Sequence, residues 1–135
     1  MQKIKYLFVC LLTTMAFSQT VKAQSKFDKW SELKSFHTVM SQTFHPSEDG
    51  NLEPIKTRSA EMAAKVDTLS KSNIPIEFDN KDVRAAISKL AIDSKKLHEL
   101  ILAKGTDIAI KKALSDLHNT FHLIVEKCSK NEEHH

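Results

Sequence analysis

Large apolar side chains recur at alternating spacings of three and four residues through most of the chain, and only two glycines interrupt its 135 residues. That combination points to long helices. An α-helix returns to the same face every 3.6 residues, so a three–four series draws one apolar stripe along a cylinder. A β-rich fold of this size needs many tight turns, and two glycines with three prolines cannot supply them.

The stripes fall in four blocks. In "SKFDKWSELKSFHTVMSQTFH" the stripe is Trp30, Leu33, His37, Met40 and Phe44. Pro46 is expected to end this helix, because the residue before a proline resists the α region, and "PSEDGN" reads as the turn. In "LEPIKTRSAEMAAKVDTLSKS" the stripe is Ile55, Met62, Val66 and Leu69, with Ser59 as a small member of the row and Pro54 in a first turn that tolerates it. "NIPIEF" is a connector stiffened by Pro75. The third block carries Val83, Ile87, Leu90, Ser94, Leu97 and Ile101. Asp79 is its expected N-cap, Asp82 favours the helix dipole, and Gly105 is the expected stop. The fourth, opened by Thr106 as cap, carries Ile110, Leu114, Leu117, Phe121, Ile124 and Cys128. The tail "SKNEEHH" from Ser129 is polar and is expected to fray, and His134 and His135 can be read as the remnant of a purification tag. Four helices with short connections predict an all-α, antiparallel up-down-up-down four-helix bundle.

The first 23 residues stand outside this pattern. "MQKIKYLFVCLLTTMAFSQTVKA" has a basic start at Lys3 and Lys5, an apolar run from Tyr6 to Phe17, and a polar end with Ala23 before the expected cut. This is the pattern of a secretory signal peptide, and the run is too short to span a bilayer. One domain is then expected over residues 24–135, periplasmic or secreted, with no stable membrane insertion after cleavage. A lipid anchor at Cys10 is not expected, because Val9 is bulky where a small residue is wanted.

Removal of the leader changes the charge. Lys3, Lys5 and Lys22 leave with it, so 17 basic side chains face 17 acidic ones. These are interspersed, as on a solvated helix surface, and no nucleic-acid partner is expected. Cys128 remains as a single cysteine, so no internal disulfide is available. The thiol is then buried, reactive, a metal ligand, or a link in a dimer.

No Gly-rich phosphate loop, H-E-x-x-H, C-x-x-C or G-x-S-x-G occurs, and the acidic residues fall on outer faces, so no catalytic residue set presents itself and no enzyme is expected. The histidines are the feature left to explain. His118 and His122, at i and i+4, point the same way on the last helix, and His37 lies within the first stripe. Helical rise puts His37 about 12 Å and His118 about 16 Å from one end of the bundle, with His122 below, His98 above and His45 nearer the end. Imidazole is the common side-chain ligand of zinc and copper, and bundles build sites from facing helices. His37, His118 and His122, with His45 as a fourth, are therefore expected to bind a transition-metal ion, zinc or copper, for sensing, buffering or carriage. Met40 and Cys128 would favour copper if they took part. The other reading of the same histidines is polar decoration on a structural or interaction bundle.

The last helix, with "LSDLHNTFH", and the segments "NLEPIKTRSAEMAAKV" and "IPIEFDNKD" resemble the periplasmic cytochrome b562 group over nearly the whole processed chain. The resemblance implies a four-helix bundle. It also implies a non-covalent b-type haem for electron transfer, held by a histidine late in the last helix, where His122 stands, and by a methionine of the first. The first helix has no methionine at the family's early position. His37 and Met40 are the nearest candidates, and His118 is the alternative to His122.

Overall fold

The computed structural model describes residues 27–132, which are almost entirely helical. The signal-peptide reading of residues 1–23 lies outside the described residues, as do His134 and His135. Helical residues 27–29 lead into α1 (Ser31–Glu48), followed by α2 (Glu53–Lys71), α3 (Lys81–Leu102) and α4 (Asp107–Glu132). Each helix packs against the next in sequence, and α1 also meets α4, with much sparser backbone contact. Among the described residues, no helix is long and apolar enough to cross a membrane.

The stripes form the core. Leu33, Met40, Ile55, Met62, Val66, Leu69, Val83, Leu90, Leu97, Leu114, Leu117, Ile124 and Cys128 are all buried. Each such large side chain contributes about 1.5–3 kcal/mol by leaving water. Phe36 and Val39 join them, so the α1 stripe is wider than its three–four series, and Phe78 of the connector before α3 is buried with them. Ser59 and Ser94 are buried, and Ser59 meets His98 across the α2–α3 contact. Trp30 closes one end of the core. It stacks on Phe78 and donates its indole N–H to Ser72 Oγ at 3.1 Å, tying the start of α1 to the end of α2.

Three local expectations are corrected. Pro46 does not end α1; it lies inside the helix, which continues to Glu48. The conformational bias before a proline is outweighed by a well-closed C-terminus. Asn51 N–H donates to Pro46 O at 2.9 Å and Gly50 N–H to Ser47 O at 3.1 Å, a closure that needs the left-handed φ of 84° at Gly50. The cap of α3 is Asn80, whose side chain accepts from Val83 N–H at 2.9 Å. Asp79 is drawn instead into an ion pair with Arg84. At the end of α3 the left-handed residue is Lys104, with φ 57°. Gly105 is one step further on, donating to Leu100 O, where a Cβ would lie 2.4 Å from Leu100 Cδ1. Thr106 caps α4 as expected, accepting from Ala109 N–H at 3.2 Å. The backbone of α4 stays helical through Glu132, beyond the expected fraying point at Ser129.

Candidate functional site

The seam between α1 and α4 is filled by rings. Phe27 and Phe121 both lie nearly parallel to the His37 imidazole, with centroids 4.5 Å and 5.3 Å away. Phe36 meets Phe121 edge-on at 5.6 Å. Further along the seam, Phe44 of α1 stacks face to face on His118 of α4 at 3.6 Å. Flat, wide side chains keep two backbones apart, which accounts for their sparse contact here.

Two of the expected ligands meet directly. His118 and His122 stand nearly perpendicular, with ring centroids 4.4 Å apart and Nε2 atoms 3.1 Å apart. Helical spacing makes the pair, and the Phe44 stack fixes the His118 ring against α1. Two nitrogens on one ion at about 2.0–2.1 Å and an angle between about 90° and 110° are roughly 2.9–3.4 Å apart. The Nε2 separation therefore matches a chelate bite. In the absence of an ion the same distance suits a hydrogen bond in which one Nε2–H donates to the other lone pair.

His37 is half-buried in its stack, and His45 is exposed, its Nδ1 3.0 Å from Glu48 Oε2. Neither completes a metal site as built. Among the described residues, no three His, Cys, Asp or Glu side chains converge on one point. All four histidines nevertheless belong to one electrostatic neighbourhood. Burial holds the His37 imidazole below its ordinary value, and the neighbouring His122 and His45 push it the same way. Burial does the same to His118, reinforced by His122 and His45, with Glu48 opposing. At neutral pH this favours neutral imidazoles, the form that ligates.

His98, placed above the pair by axial depth alone, is not part of the seam. It faces α2, with Nδ1 2.9 Å from Ser59 Oγ. Met40 and Cys128 are buried in the core, so the soft sulfur donors are not exposed beside the pair. A shallow cavity of about 270 Å³ between α1 and α2 is lined by Ser31, Glu32, Ser35, Lys65 and Thr68, with no histidine on its wall. Phe27 and Glu48 carry no signal in the sequence pattern, since neither belongs to a stripe. Their roles follow from the positions that ring packing gives to His37 and His45.

No protein-family model, curated protein or solved structure matches this chain.

Proposed function

We propose that this is an exported, antiparallel up-down-up-down four-helix bundle that binds one zinc or copper ion at the α1–α4 seam. It would serve as a sensor, buffer or carrier and not as a catalyst. The observation that carries the reading is the 3.1 Å separation of His118 Nε2 and His122 Nε2. Two preformed nitrogens at chelate distance are half of a site. His37 and His45, on the facing helix, are the remaining histidines of the seam from which a third nitrogen would come.

The antiparallel arrangement is supported by which ends meet. Arg58 near the start of α2 bonds Gln42 near the end of α1, Ser59 meets His98 near the end of α3, and Lys127 near the end of α4 pairs with Asp82 at the start of α3. Export rests on the leader pattern of residues 1–23.

The test is elemental analysis with an absorption spectrum on the chain purified without an added tag or chelator, with His134 and His135 substituted so that only the seam is read. About one equivalent of zinc or copper is expected. His118→Phe, which keeps a ring over Phe44 and removes the nitrogen, should lose the metal, and so should His122→Ala. Iron with a Soret band would replace this reading with haem, which would have to displace the rings now filling the seam. A metal-free protein that refuses added zinc and copper would leave an interaction bundle with decorative histidines.

A further inference from the structure

We propose that His45 is the third ligand and Glu48 its positioning carboxylate, so that the bound ion joins α1 to α4 across the seam. The inference rests on the two-histidine reading above and says what completes it.

His45 already has the arrangement of a ligand waiting for an ion. Its Nδ1 is 3.0 Å from Glu48 Oε2, so Nδ1–H donates to the carboxylate and Nε2 is the nitrogen that a neutral ring would offer to an ion. Metal-ligating histidines commonly hold a carboxylate on the second nitrogen in this way, which fixes the tautomer and raises the basicity of the ligating one. His45 and His118 also share a neighbour. The His45 ring meets Phe44 edge-on at 5.8 Å, and Phe44 carries His118 on its face at 3.6 Å.

The rival is His37. Turning a His37 nitrogen toward the pair would break its stacks on Phe27 and Phe121. The His45 and Glu48 side chains are 64% and 56% exposed, so they can turn together about their own bonds without disturbing the core. The ion draws His45 over, and α1 and α4, whose backbone contact is sparse, gain a cross-link.

Zinc affinity, measured by competition with a chromophoric chelator, and the absorption of the cobalt(II) complex decide the matter. Glu48→Ala should weaken zinc binding about tenfold while the cobalt spectrum keeps its shape. Glu48→Gln should recover part of that loss, because its amide oxygen still accepts the Nδ1–H. His45→Ala should weaken binding by more than Glu48→Ala and change the cobalt spectrum, as water replaces a nitrogen. His37→Phe should bind like the parent. The metal-free melting temperature should move little in the His45 and Glu48 variants, since both side chains are exposed. Parent-like zinc affinity in His45→Ala or Glu48→Ala, or a comparable loss in His37→Phe, overturns the inference. If that happens while His118→Phe still abolishes binding, the two-histidine reading survives alone; a parent chain that takes up neither zinc nor cobalt ends both.

Discussion

Two interfaces in this molecule carry histidine, and they treat it differently. Between α2 and α3 the packing is close, and His98 is given a built-in partner in the buried Ser59, whose Oγ is 2.9 Å from its Nδ1. Between α1 and α4 the contact is sparse and filled by rings, and the imidazoles there are partly the filling. A tight interface must satisfy a polar atom at once, because nothing else can reach it. In a ring-filled seam an imidazole packs by its faces, and its nitrogens at the rim stay available to each other or to an ion. The same residue type is therefore a structural pin on one side of the molecule and a candidate ligand on the other.

The largest test of this contrast is Phe121→Ala. Phe121 is buried and touches the rings of Phe27, Phe36, His37 and His122. Its loss should destabilise the protein by about 3–5 kcal/mol in urea titrations and weaken zinc binding with it. Leu90→Ala in α3 should destabilise by about 2–5 kcal/mol and leave zinc affinity as it was. Equal effects of both on zinc would mean that the ring stack does not order the pair. Next in size is the ion itself. Zinc at a hundredfold its dissociation constant should stabilise the parent by about 2.7 kcal/mol, and should do nothing for His118→Phe. A stabilisation that survives in His118→Phe would place the ion elsewhere.

The stripes were legible in the sequence because burial of large side chains follows helical period, and Ile55, Met62, Val66, Leu69, Leu114 and Leu117 are where that period puts them. Single-residue features were less so. Asp79 and Asn80 are equally good caps by type, and the choice fell to the one not drawn off by Arg84. Of the site, the His118–His122 pair was legible because one helix sets it. The neighbours of His37, His45 and His98 were not, because they depend on how two helices rotate and slide against each other. Depth counted along the axis says nothing of rotation, so the similar depth of His98 did not show that it faces Ser59.

Ser59→Ala probes the tight interface. It removes the hydroxyl partner of a half-buried imidazole and should destabilise by about 1 kcal/mol, with no change in zinc affinity. A change in zinc affinity would couple the two interfaces and break the contrast.

The smallest effect expected is on acid sensitivity, measured with a chelator present so that no ion intervenes. Burial depresses the His37 and His118 imidazoles below their ordinary 6.5. Between that value and the folded ones, the unfolded chain binds more protons than the folded chain, so stability rises with pH. The contribution is complete above about pH 6.5 and is lost as pH falls through the folded values. Glu61, held low by Arg58, and Asp82, held low by Lys127, act in a separate window, since their ordinary values are 4.5 and 3.8. The urea midpoint should therefore fall between about pH 7.5 and about pH 5, before those carboxylates titrate. A double His37→Phe, His118→Phe variant keeps rings in the seam and should flatten that window alone. If the slope persists in the double variant, acid acts somewhere other than the seam, and the rings of α1 and α4 are not what sets its histidines apart.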